Sequence, residues 1–272
     1  MEEKLREECG VFGIRTKEND SASMTHSALM ALQHRGQEGA GIASLVGEKI
    51  NLFKNKGLVS EVFSPKDISD LGDAEVSIGH VRYSTTGSNS KANTQPILAE
   101  YLMGRVAVAH NGNIVNSMEI RKGLEKEGCI FRSTNDSESI AKLIAFEMLT
   151  EKDELKAIEK AVEKLEGAFS LVIMTSQNKL VAIRDGWGFR PLCIGKGENG
   201  IAVASESCAF DSINYELIRD IEPGEMVVIN EDLSIDSKMI LNREKKGSCI
   251  FEYVYFARTD SNIDGLNVYD AR

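Results

Sequence analysis

The sequence has no excess of positive charge and no long apolar run. With 32 Lys and Arg against 42 Asp and Glu, its formal net charge is −10. That balance argues against non-specific binding to nucleic acid or to an anionic membrane, because such binding needs a basic face. No run of about 18 apolar residues is present, and the N-terminus lacks the apolar core of a secretory signal. We therefore expect a protein that binds neither nucleic acid nor membrane.

Cysteine and proline are also scarce. The five cysteines form neither a CxxC pair nor a His/Cys zinc pattern, so we expect free thiols, no metal site and a cytoplasmic location. Cys129, Cys193 and Cys208 lie in apolar contexts and are predicted to be buried packing residues. There are four prolines and no linker rich in Pro, Gly or Ser, so residues 1 to about 240 are predicted to form one domain.

Short runs rich in Val, Ile and Ala, bounded by Gly, Asn or Asp, dominate the chain and predict strands. Most links between them are short, which favours antiparallel sheets with helices packed on them, an α+β architecture. The predicted strands are 10–15, 40–46, 49–54, 75–82, 105–110, 168–175, 179–184, 200–205 and 225–230. Apolar residues at helical spacing, or a polar start, predict helices over 22–33, 116–127, 136–149 and 153–165.

Cys9 follows a charged octet without an apolar stripe, residues 1–8. If that octet is removed, Cys9 carries both a thiol and a free α-amine. The pKa of an α-amine, about 7.7–8.0, lets it act as a base near neutral pH. A nucleophile and its base then occupy one residue. Position alone leaves open the ordinary interpretation, a small apolar residue that opens a strand.

Five polar, glycine-punctuated segments interrupt the strands, in the loops where binding groups tend to lie. Each has an ordinary explanation, since Asn-Gly favours turns and Thr-Asn-Asp-Ser-Glu caps helices. Together they supply what an amide substrate with a free amino acid end requires, including an arginine for its carboxylate. The segments are 33–41, 79–87, 109–113, 134–138 and 184–191.

These motifs resemble the class II glutamine amidotransferase domain of the amidophosphoribosyltransferase family, which belongs to the N-terminal-nucleophile hydrolases. The resemblance implies a four-layer αββα sandwich, with two antiparallel sheets between helical layers. Its implied activity is hydrolysis of glutamine through a cysteine thioester. The motifs that carry it are 8–10, 33–37, 79–85, 110–113, 136–138, 190–192, 204–207 and 251–258.

The resemblance also implies roles for single residues. Cys9 is expected to be the nucleophile, with Asn111 and Gly112 as the oxyanion hole. Arg82 is expected to bind the α-carboxylate of glutamine, and Asp136 its α-ammonium. The remaining implied binding residues are Arg35 and Gly36 beside the nucleophile, and Ser84 and Thr85 at the start of a loop that closes over glutamine.

For domains, the resemblance implies a propeptide at 1–8, a glutaminase domain at 9–242, and a linker with the start of an absent phosphoribosyltransferase domain at 243–272. We expect no cofactor in this chain. The longer protein is expected to have that domain in cis, to form homo-oligomers, and to use Mg²⁺ and a [4Fe–4S] cluster with Cys249 as one ligand. One thiolate cannot hold a four-cysteine cluster.

Three alternatives stay open. One is the glutaminase domain of another class II amidotransferase, such as the enzyme that makes glucosamine 6-phosphate. Another is a catalytically silent regulatory or interaction module. The third concerns only residues 249–256, whose apolar and aromatic run also fits a C-terminal strand of the same domain.

Overall fold

The computed structural model describes residues 8–83, 90–242 and 246–272. In these ranges the strands are β1 (Gly10–Thr16), β2 (Gly39–Val46), β3 (Lys49–Lys56), β4 (Val76–Arg82), β5 (Ile97–Tyr101), β6 (Gly104–Ile114), β7 (Gly167–Thr175), β8 (Leu180–Arg184), β9 (Cys193–Lys196), β10 (Gly200–Ala204), β11 (Glu216–Asp220), β12 (Glu225–Ile229), β13 (Ile235–Met239), β14 (Asn262–Ile263) and β15 (Leu266–Asn267). The helices are α1 (Ser21–Ala31), α2 (Val59–Val62), α3 (Pro65–Asp70), α4 (Ser117–Lys126), α5 (Asp136–Glu147), α6 (Glu154–Glu163), α7 (Cys208–Asp211) and α8 (Val268–Ala271).

Two antiparallel sheets form the centre of the molecule. The first has the strand order β11-β9-β10-β1-β4-β2-β3, and the second has the order β13-β12-β8-β7-β6-β5. The first sheet therefore places β1 beside β4, with Gly10 opposite Val81. The start of β1 and the end of β4 consequently lie at the same edge of that sheet.

The apolar core has three layers, because strands buried on both faces alternate their side chains between them. On β1, Val11 lies in the core between the sheets, whereas Phe12 lies in the core beneath α1, α2 and α7. A third core joins the outer face of the second sheet to α4, α5 and α6. The layers are thus helix, sheet, sheet and helix, which confirms the αββα sandwich.

The predicted strands and longer helices are confirmed with small shifts at their ends. The sequence pattern missed β5, β9, β11, β13 and the two-residue strands β14 and β15. Of these, β11 and β13 lie at sheet edges with largely exposed side chains, so they lack the apolar runs that mark the central strands. None of the helices in the described ranges is long and apolar enough to cross a lipid bilayer.

The C-terminal segment, residues 246–272, contains a small apolar cluster of its own, formed by Tyr253, Ala257, Ile263 and Val268. Glu252–Phe256 forms a helical turn, so the alternative of a C-terminal strand over 249–256 is wrong. Several polar contacts join the segment to the domain. Arg184 of β8 donates to both carboxylate oxygens of Asp264, and the Ser207 hydroxyl accepts from the Asn262 N–H.

Candidate active site

Cys9 lies immediately before β1 and is 8% exposed. Its Sγ is 3.4 Å from both the carbonyl oxygen and the amide nitrogen of Tyr83, which follows β4. Burial raises the pKa of the thiol to about 11, and the nearby Glu8 and Asp136 carboxylates add to that shift. While Glu8 precedes it, Cys9 therefore stays a protonated thiol at neutral pH.

Arg82 ends β4 and is also buried. Burial lowers the pKa of its guanidinium, and its charge interacts with the Cys9 thiol in the direction that favours the thiolate. Arginine nevertheless stays charged in proteins. The last residue of β4, close to Cys9, is thus a cation that can pair with a carboxylate.

The second sheet approaches this edge through β6. The imidazole Nε2 of His80 in β4 lies 3.1 Å from the carbonyl oxygen of His110 in β6. Burial lowers the pKa of His80 to about 3, so its ring is neutral and Nε2–H donates to that carbonyl. The Gln95 amide fixes the same backbone, donating to the His110 carbonyl at 3.1 Å and accepting from its N–H at 2.7 Å.

Asn111 follows His110, and its side chain is completely buried. Neither its amide nitrogen nor its amide oxygen has a hydrogen-bond partner among the described residues. A buried polar group without a partner costs about 1–3 kcal/mol, so such groups point to strain or function. No contact among the described residues therefore compensates for the burial of the Asn111 amide.

Gly112 has a backbone conformation that requires glycine. Its φ is +144°, and a Cβ on it would lie 2.0 Å from the carbonyl oxygen of Ala168 in β7. No side chain fits at this approach. Glycine at 112 thus lets β6 run past β7 with the bend that follows Asn111.

Asp136 is the first residue of α5 and is buried. Its Oδ2 accepts from the Ile114 N–H at 3.1 Å, and its Oδ1 lies 3.6 Å from His110 Nδ1. Burial raises the pKa of the carboxyl, but His110 and the N–H donors outweigh it and the net shift is downward. With Arg82, this anion gives the neighbourhood of Cys9 the two charges that pair with a zwitterionic amino acid.

Arg35 forms a buried ionic cluster with Glu206 and Glu252, which we call the Arg35 cluster. Its Nη1 lies 2.5 Å from Glu206, and Nη1 and Nη2 each lie 3.0 Å from a Glu252 oxygen. Its Nε donates to the carbonyl oxygen of Cys9 at 3.0 Å. All three guanidinium nitrogens thus have partners within the protein, and one of these partners is the backbone of Cys9.

Gly36 lies against the strand that carries Arg82. A Cβ at Gly36 would come within 2.6 Å of the Arg82 backbone carbon, so only glycine allows this approach. Ser84 and Thr85, predicted to bind glutamine, lie outside the described residues.

Cys249, the predicted cluster ligand, is half-buried. Within the described ranges, no group of three or more His, Cys, Asp or Glu side chains is arranged to hold a metal ion. These residues do not by themselves fit an iron–sulfur cluster or a magnesium site. Of the predicted packing cysteines, Cys193 and Cys208 are buried, whereas Cys129 is half-buried.

The sequence did not predict that Glu206 and Glu252 pair with Arg35. Both glutamates lie inside the motifs that carried the resemblance, but neither was given a role. A glutamate in a run of buried residues, as Glu206 is in Ala204–Ser207, could have indicated a buried partner. Pairing that carboxylate with Arg35, however, depends on contacts across 171 residues of chain.

The chain is similar to known proteins. The glutamine amidotransferase domain family matches residues 80–212. Amidophosphoribosyltransferase from Methanocaldococcus jannaschii is 45% identical over 97% of this chain and 59% of its own length. The Bacillus subtilis enzyme is 43% identical over 98% of this chain and 55% of its own length. The chain thus spans under two thirds of these relatives.

Solved structures agree with the sequence comparison. The allosteric regulatory enzyme of purine biosynthesis superposes with a TM-score of 0.90 at 40% identity, covering 97% of this chain and 56% of that one. Glutamine phosphoribosylpyrophosphate amidotransferase from B. subtilis, complexed with ADP and GMP, gives 0.89 at 40% identity, again covering 97% and 56%. A class II glutamine aminotransferase domain protein from Silicibacter pomeroyi, at 15% identity and a TM-score of 0.56, shares the fold.

Proposed function

We propose that the chain is the glutamine amidotransferase part of an amidophosphoribosyltransferase and that it hydrolyses glutamine to glutamate and ammonia. The supporting observation is the Asn111 amide, which has no partner among the described residues and lies on β6, the strand that His80 of β4 contacts. Arg82 and Asp136 are opposite charges near Cys9. This set matches an amide that has a carboxylate and an ammonium at its other end.

The proposed reaction begins after removal of residues 1–8 leaves an amine on Cys9. That amine takes the thiol proton, and the thiolate adds to the side-chain amide carbon of glutamine. The Asn111 amide and the Gly112 N–H stabilise the oxyanion. The Cys9 amine returns the proton to the leaving nitrogen, ammonia departs, and water hydrolyses the thioester to glutamate.

Arg82 and Asp136 hold the substrate during these steps. The guanidinium pairs with the α-carboxylate, which fixes glutamine by a charge-assisted contact. The Asp136 carboxylate, whose pKa is lowered, remains ionised at neutral pH and accepts from the α-ammonium. Ser84 and Thr85, which lie outside the described residues, are the remaining proposed binding residues for glutamine.

In the longer protein, we propose that the ammonia displaces pyrophosphate from phosphoribosyl pyrophosphate on a phosphoribosyltransferase domain in cis. The product is phosphoribosylamine, for purine synthesis in the cytoplasm. Residues 243–272 then form the linker and the start of that domain, and the longer chains form homo-oligomers. Mg²⁺ and a [4Fe–4S] cluster that includes Cys249 belong to this longer protein.

Glutaminase assays combined with intact-mass measurement test the proposal. Cys9→Ala should abolish ammonia release, because no thiolate remains to form the thioester. Cys208→Ala is the matched control, since Cys208 is a buried cysteine of α7, and it should keep the activity. Wild-type protein that consumes glutamine should have lost residues 1–8. Activity in Cys9→Ala, or in protein whose leader is still attached, would overturn the mechanism.

A further inference from the structure

Glu8, the residue before Cys9, has a specific partner in the loop after β8. Its carboxylate accepts from Arg190 Nη2 at 2.9 Å, and both side chains are largely buried, at 14% and 16% exposed. Glu8 and Arg190 are separated by 182 positions in sequence. The fold therefore brings an arginine to the last residue of the proposed leader.

The loop backbone around Arg190 is fixed from two sides. Its carbonyl oxygen accepts from Arg184 Nε at 3.0 Å and from the Ser170 hydroxyl at 2.9 Å. In the guanidinium itself, Nε and Nη1 are buried without a hydrogen-bond partner among the described residues. Within those residues, the hydrogen bond of this guanidinium is thus the one to Glu8.

The other side of the Glu8–Cys9 peptide bond is held as well. Arg35 Nε donates to the Cys9 carbonyl at 3.0 Å. The Glu252 carboxylate links the two arginines, with its oxygens 3.0 Å from the Arg35 nitrogens and 3.5 Å from Arg190 Nη1. One arginine contacts the residue before the bond, and the other contacts the residue after it.

We propose that Arg190 is a positioning residue for leader removal, which recognises the Glu8 carboxylate and holds the Glu8–Cys9 bond for hydrolysis. This inference rests on the proposed function, which requires a free Cys9 amine. Hydrolysis consumes one water, which leaves a carboxylate on Glu8 and an amine on Cys9. When Glu8 departs, Arg190 retains the nearby Glu252 carboxylate, so its charge is not left alone.

A double-mutant cycle tests the contact. Wild type, Glu8→Gln, Arg190→Gln and the double variant are made by cell-free synthesis, and loss of residues 1–8 is followed by intact mass. Each single substitution should slow processing at least tenfold, and the double variant should be no slower than the slower single variant. The control pair Arg219→Gln and Glu225→Gln removes another arginine–glutamate contact, on β11 and β12, and should leave the processing rate unchanged.

A bypass separates positioning from folding. In a version of each variant with Met placed directly before Cys9, the host aminopeptidase exposes the cysteine without leader cleavage. Arg190→Gln should then show glutaminase activity within twofold of wild type. Processing of Arg190→Gln at the wild-type rate, or equal loss of activity in the bypass version, would overturn the inference. An active wild type that keeps its leader would instead overturn the proposed function.

Discussion

Two buried polar regions adjoin Cys9, and they are built in opposite ways. In the Arg35 cluster every guanidinium nitrogen has a partner, and the Glu206 carboxylate also accepts from the Arg258 N–H and the Ser261 hydroxyl. Around Asn111 the backbone is fixed by His80 and Gln95, yet the side-chain amide has no partner in the described residues.

This difference distinguishes side chains that hold the site in place from side chains that could take part in a reaction. Buried charges whose hydrogen-bonding groups all have partners resist any change of partner. The Arg35 cluster is therefore suited to holding Cys9 in place. A buried donor without a partner carries a free-energy cost until it forms a hydrogen bond. This suits a group that donates to the negative charge that develops in a transition state. The two regions should therefore respond differently to mutation, one through stability and the other through rate.

The largest expected effect comes from Arg35→Gln. It leaves the Glu206 and Glu252 carboxylates buried without their cation, which should lower the free energy of unfolding by about 3–5 kcal/mol. Urea unfolding of the processed protein measures it. The control Lys238→Gln breaks the exposed pair with Glu159 and should cost no more than about 1 kcal/mol. A loss for Arg35→Gln as small as the control would refute the distinction.

Next in size is Asn111→Ala, which should act on rate and not on stability. Loss of one oxyanion donor should lower kcat about 10²–10³-fold, equivalent to about 2.7–4 kcal/mol. Because the amide has no partner in the described residues, the free energy of unfolding should be retained or rise.

The control for this rate effect is Asn116→Ala, whose amide donates to the Lys164 carbonyl and accepts from the Glu166 N–H. It should lose about 1 kcal/mol of stability and keep kcat. Asn111→Ala with wild-type kcat would remove the oxyanion hole from the proposal.

The same contrast explains what the sequence could and could not predict. Strand and helix patterns along the chain predicted an α+β architecture of antiparallel sheets with helices packed on them, whereas the αββα sandwich itself came from the resemblance. The expected roles of Asn111, Gly112 and Asp136 also came from the resemblance, because each motif alone fits an ordinary turn or helix cap. The Arg35 cluster and the Glu8–Arg190 contact could not be predicted, since they join charges far apart in sequence and leave no local pattern.

The smallest expected effect is a loss of stability at acidic pH, where Glu206 becomes protonated. The Glu206 pKa is lowered from 4.5 to about 2: burial raises it, but the Arg35 cation and the His34 hydrogen bond outweigh burial. A carboxyl with a depressed folded pKa stabilises fully above its unfolded value and loses that stabilisation as pH falls towards the folded value. We expect a loss on the order of 3 kcal/mol between about pH 5 and pH 2, measured by urea unfolding at several pH values.

Glu206→Gln should remove this part of the acid slope, because the amide does not titrate. The control Glu216→Gln, on the exposed edge strand β11, should retain it. If Glu206→Gln and wild type lose stability equally below pH 4.5, the ionised Glu206 carboxylate does not stabilise the Arg35 cluster. The stability of that cluster would then have to come from packing alone.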